Sequence, residues 1–94
     1  MKSVIVVALL SLGTLAAGSS QAQEAVAKSA GCLNCHAADT KKVGPSFKDI
    51  AAKYKGQAGA EANLVEKIKS GKGHPASKAS DSDIKGVISW ILSM

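Results

Sequence analysis

The residues most able to do chemistry lie together in Cys32-Leu33-Asn34-Cys35-His36. The chain has no other cysteine, and its one other histidine is His74. Two thiols separated by two residues, with an imidazole directly after, form the attachment pattern of a c-type haem. Each thiol adds across a haem vinyl group to give a thioether. The two-residue spacer lets both sulfurs face the porphyrin edge, and the adjoining imidazole reaches the iron as its proximal ligand. The pattern therefore implies one covalent haem c, tethered by Cys32 and Cys35, with His36 on the iron.

Three other chemistries could use the same side chains. A redox dithiol calls for a βαβ setting, whereas the residues that follow are patterned as helix. A zinc site could draw on Cys32, Cys35, His36 and His74, but there is no second Cys-x-x-Cys and no paired histidines. A disulfide between residues this close would close a very small loop and stabilise little.

Covalent haem attachment in bacteria takes place outside the cytoplasm, and the N-terminus is patterned for export to the periplasm. Lys2 supplies a positive start, and Val4 to Leu12 an apolar core. Ser20-Gln21-Ala22 places small residues where a signal peptidase reads them. Residues 1–22 are thus expected to be a signal peptide, cleaved after Ala22. The alternative is an uncleaved anchor, although the apolar run is short for a bilayer span and is followed by Gly18, Ser19, Ser20 and Gln21.

What remains, residues 23–94, is one small domain with little room for an apolar core. Domains of this size need a staple, and a buried haem would serve as one. Basic charge comes from lysine alone. Residues 23–94 keep eleven of the twelve lysines and all seven acids, a net +4. Two haem propionates would bring this to about +2. With no arginine, few aromatics and lysines dispersed among acids, nucleic-acid binding is a poor fit. A lysine-rich rim that orients an acidic redox partner fits better, and a merely solvated surface is the plainer alternative.

Four helical stretches emerge, and nothing alternates like a strand. The first covers 23–30 and stops at Gly31. Residues 37–45 form a loop. Ser46 caps the next helix with Asp49 three residues on, and Phe47, Ile50, Ala51 and Tyr54 recur at helical spacing. The third covers 60–70, closed by Gly71. A loop containing Gly73-His74-Pro75 leads to the last helix, framed by Ser80 and Asp83. Its stripe of Ile84, Val87, Ile88, Ile91 and Leu92 has the clearest helical period in the chain. Gly86 inside that helix costs about 1 kcal/mol against alanine, which suggests a close helix contact.

An exported chain with an early Cys-x-x-Cys-His and a long amphipathic last helix resembles the small bacterial mono-haem class I cytochromes c. The likeness covers essentially residues 23–94. It is carried by Val43-Gly44-Pro45-Ser46-Phe47-Lys48-Asp49-Ile50, by Lys67-Ile68-Lys69-Ser70-Gly71 and by Ser89-Trp90-Ile91-Leu92-Ser93. The resemblance implies an all-α fold of about four helices packed around one covalent haem. It also implies that the Pro45 carbonyl accepts the proximal imidazole's other N–H, which fixes the ring and raises its basicity.

In that family the distal ligand is a methionine followed by proline, six residues before the serine that starts the last helix. This chain has only Met1 and Met94. Counting back six from Ser80 reaches His74, which is followed by Pro75. By that register His74 occupies the methionine's place, as second iron ligand. The alternatives are no strong distal ligand, a lysine, or Met94.

The function implied is electron transfer in the periplasm by a monomer that docks on periplasmic or membrane redox proteins, with no catalytic constellation. The alternative is a haem-based small-molecule binder or peroxide-reactive protein with an open or displaceable distal site. In a host that matures c-type cytochromes, intact mass should show loss of residues 1–22 and gain of one haem. Replacing both Cys32 and Cys35 by alanine should abolish the covalent haem and leave circular dichroism of a largely unfolded chain.

Overall fold

The computed structural model describes residues 16–94, with side chains described from Gln21 onward. The first fifteen residues of the expected export segment lie outside that range. Among the described residues every regular element is helical: α1 (Ala16–Ser29), a 3-10 turn (Cys32–Asn34), α2 (Phe47–Tyr54), α3 (Ala60–Ser70) and α4 (Asp81–Leu92).

α1 begins seven residues before the expected start at Gln23 and runs through the Ala22–Gln23 junction. Ala16, Ala17 and Ala22 are strong helix formers, and no capping residue at 22 interrupts them. The helix ends where glycine permits it. Gly31 takes φ 84°, a left-handed conformation that a side chain would resist. The chain then turns directly into the Cys32–Asn34 turn.

The two serine caps form as the sequence indicates. The Ser46 hydroxyl accepts from the Asp49 N–H at 3.1 Å, and the Ser80 hydroxyl accepts from the Asp83 N–H at 3.2 Å. Each satisfies one of the four free N–H groups at a helix start. Ser46 is also buried, beneath the start of α2.

α4 is the platform, packed against α1, α2 and α3. Its Ile84, Val87, Ile88 and Ile91 are all buried. Ala27, Phe47, Val87 and Ile91 form the centre of the core, with Val26, Cys32, Leu33, Ile50 and Trp90 packed around it. Trp90 meets Phe47 edge-on, with centroids 5.7 Å apart at 72°, a favoured aromatic geometry. The close contact expected at Gly86 is present. A Cβ there would lie 3.0 Å from Gln23 Oε1, so the missing side chain lets α1 lie down on α4.

The start of α4 is also tied to the end of α3. Lys69 donates to Asp81 at 2.8 Å, and this hydrogen bond and the Asp81 charge raise the ammonium above its usual range. The pair is solvent-exposed and screened, so it adds little. Ser80→Ala should lower stability by about 1 kcal/mol in thermal unfolding of the haem-loaded protein, whereas Lys69→Ala should leave the midpoint unmoved.

Candidate haem-binding site

A cleft of about 420 Å³ opens between the Cys32–Asn34 turn, α2, α3, α4 and the loop that precedes α4. Its size falls within the range of about 300–1,000 Å³ common for cofactor sites. Cys32, Cys35, His36, Pro45 and His74 all line it. Every site residue expected from the sequence is therefore gathered around one space. Met94, Lys72 and Lys78 are not among its lining residues.

The floor is apolar. Ile50, Leu64 and Ile68 are only partly covered by protein, and they turn toward the cleft beside the buried Ile84, Val87 and Ile88. An apolar disc placed there would complete their burial. At about 25 cal/mol per Å² of apolar surface, such coverage would add substantially to a small core.

The wall that carries His36 is held by a short ladder between the cysteine motif and the start of α2. Gly44 N–H donates to the Cys35 carbonyl at 2.7 Å, and Phe47 N–H donates to the Ala37 carbonyl at 2.9 Å. The ladder brings the Pro45 carbonyl 2.6 Å from His36 Nδ1. A carbonyl can only accept, so Nδ1 carries the proton and, in the neutral ring, Nε2 keeps the lone pair a metal would take. Phe47 stacks on the same imidazole, with centroids 5.6 Å apart at 25°.

In the sequence Gly44 stands out only as part of the Val43–Ile50 segment that carries the resemblance. The fold gives it a steric duty. A Cβ there would sit 2.9 Å from His36 Nδ1 and closer still to Cε1. No signal within the sequence reveals this, because the ring and the glycine meet only after the loop closes.

His74 faces the cleft from the loop before α4. Its Nδ1 lies 2.7 Å from the Pro75 carbonyl, so its Nε2 is likewise left as the free nitrogen. The two imidazole rings are parallel within 3°, with centroids 6.0 Å apart. One metal ion between two ring nitrogens needs two bonds of about 2 Å each. Adding the distance from each nitrogen to its ring centre brings the total close to this separation. Among the described residues, no three His, Cys, Asp or Glu side chains cluster to hold a bare metal ion, so the zinc alternative has no assembled site.

Cys32 and Cys35 form no disulfide with each other, and each is half-buried. Burial pushes the Cys32 thiol above its ordinary pKa, against a smaller opposing effect of a backbone hydrogen bond. A redox dithiol depends on a stabilised thiolate, and Cys32 has the opposite environment.

Residues 19–94 match the model of the cytochrome c family. The chain belongs to that family. It is 43% identical to cytochrome c-551 of Pseudomonas aeruginosa, across 99% of this chain and 98% of that one. It is 38% identical to cytochrome c-552 of Hydrogenobacter thermophilus, across 100% and 99%. Among solved structures, wild-type Nitrosomonas europaea cytochrome c552 matches with TM-score 0.66 and 38% identity, covering 74% of this chain and 96% of that one. The class 1 cytochrome MtoD of Sideroxydans lithotrophicus matches with TM-score 0.68 and 36% identity, over 78% and 92%.

The protein is thus a small class I cytochrome c, an electron-transfer protein that carries one covalent c-type haem with iron. The Cys32–Cys35 spacing for that haem is present, and the cleft fits it in size, apolar floor and donor set. Gly44→Ala should push the His36 ring away from its place. We expect a smaller yield of haem-loaded protein and a weakened His36 hydrogen bond, read as a shift of the imidazole proton resonances, while a control at the exposed Lys85, Lys85→Ala, changes neither.

Proposed function

We propose that this cytochrome is a periplasmic electron carrier whose haem is tethered by Cys32 and Cys35 and ligated by His36 and His74. The observation that carries the reading is the pair of parallel imidazoles 6.0 Å apart, each with Nδ1 on a backbone carbonyl. Counting back six residues from Ser80 to His74, which is followed by Pro75, supports His74 in the position of the family's methionine.

The haem supplies reversible one-electron exchange between ferric and ferrous iron. The chain does the rest. Pro45 and Gly44 hold the His36 ring, and Phe47 backs it. Ile50, Leu64 and Ile68 exclude water from the apolar side. With two imidazoles in place of an imidazole and a thioether, the donors are stronger and favour the ferric state, which lowers the potential. Axial ligands and their surroundings tune haem potentials over roughly 0.8 V. Residues 1–22 act as the export signal, removed after Ala22. The lysines of the mature domain, Lys41 and Lys42 at the exposed edge of the cleft loop among them, steer an acidic partner. Such steering is screened beyond about 10 Å at 0.1 M salt.

Electron paramagnetic resonance of the ferric protein tests the ligand pair. Parallel imidazole planes separate the iron orbitals that accept π density, so a low-spin spectrum with three resolved g values is expected. His74→Ala should lose that signal and gain carbon monoxide binding when reduced. His74→Met should raise the potential. A high-spin wild type at pH 7, or a low-spin spectrum that survives His74→Ala, overturns the reading.

A further inference from the structure

The two histidines are held very differently. His36 follows a tethered cysteine, is pinned by a carbonyl nine residues away and is packed by Gly44 and Phe47. His74 sits on a loop in which Lys72, Gly73, Pro75, Ala76 and Lys78 are all exposed. Its own Nδ1 contact is to the next residue, so that contact moves with the loop and cannot anchor it. Gly71 and Gly73 both take φ 75°, and Gly71 lets the loop fold back so tightly that a Cβ there would come 3.2 Å from Ala76 Cβ.

Ser77 is what fastens this loop. Its N–H donates to the Ile68 carbonyl at 3.0 Å. Its hydroxyl donates to the Ala30 carbonyl at 3.3 Å, across 47 residues, at the end of α1 just before the cysteine motif. The same hydroxyl accepts from the Ala79 N–H at 3.2 Å. Among the described residues, the 72–79 segment is joined to other parts of the chain by the Lys72 N–H to Ser70 Oγ bond at its own start and, beyond that, by the bonds of Ser77 alone.

We propose that Ser77 is the positioning residue of the distal side: its bonds to Ala30 and Ile68 hold His74 at the haem, and their release exposes the distal face to a small neutral diatomic molecule. This rests on His74 being the distal ligand. The Ala30 bond makes the latch more than a local turn, because it clamps the distal loop to the segment that leads into Cys32. Motion at the distal loop and the seating of the proximal motif are thereby linked through one hydroxyl.

The test is carbon monoxide uptake by the reduced, haem-loaded protein, followed by stopped flow. In the wild type the rate should level off as carbon monoxide rises, since loop release limits it. Ser77→Ala should raise the plateau about tenfold, the effect of losing one or two ordinary hydrogen bonds. Ser77→Thr retains the hydroxyl and should restore the wild-type plateau, and Lys78→Ala should not move it. A wild-type plateau in Ser77→Ala, or equal acceleration by Lys78→Ala, overturns the latch while leaving His74 ligation standing. A high-spin resting wild type overturns the ligation and the latch together. Should Ser77→Ala fail to take up haem, amide exchange in the wild type decides. The Ser77 N–H must then exchange more slowly than those of Lys72 and Lys78, and equal rates overturn the proposal.

Discussion

The hydrogen bond from His36 Nδ1 to the Pro45 carbonyl organises the site. It fixes which imidazole nitrogen is free and which way the ring faces. It also requires the loop at 37–45 to close over the cysteine motif, which explains the ladder from Gly44 and Phe47 back to Cys35 and Ala37. That closure brings Gly44 against the ring and delivers Ser46 to the start of α2 with its hydroxyl ready to cap. A group that must hold a metal ligand in one orientation needs such a partner, since a bare imidazole rotates freely about its side-chain bonds.

A domain this small divides its apolar surface between two tasks. The buried stripe of α4, with Phe47 and Ala27, forms the protein's own core. Ile50, Leu64 and Ile68 remain partly uncovered and face the cleft. Among the described residues no protein partner covers those side chains fully, and a covalently held haem is the natural one. The cofactor then acts both as the redox group and as the missing part of the core, in keeping with the limits on burial in short chains.

The two sides of the cleft differ in how firmly they are built. The proximal side is covalent chemistry, a backbone ladder and aromatic packing. The distal side is a glycine-hinged loop of mostly exposed residues fastened through Ser77. An electron carrier gains from a fixed coordination sphere, because a ligand that shifts with oxidation state slows transfer. The loop before α4 is tied to the rest of the fold by a few hydrogen bonds, those of Ser77 chief among them.

Much of this was legible in the chain itself. The cysteine motif names its cofactor because thioether attachment and proximal ligation need only five consecutive residues. Ser46 with Asp49, and Ser80 with Asp83, mark helix starts because a cap reaches three residues ahead. The α4 stripe shows its buried face through spacing alone. All of these are interactions within about one helical turn, and sequence displays them directly. Tertiary structure decided the rest. Gly86 is small because Gln23 lies over it, and Gly44 is small because His36 does. Ser77 holds the distal loop through Ala30, a partner 47 residues away, and the parallel alignment of His36 and His74 exists only across a cleft that neither residue's neighbours specify. Each of these depends on which distant surfaces meet, and that is set by how α1, α2 and α3 pack on α4, not by any local pattern of residues.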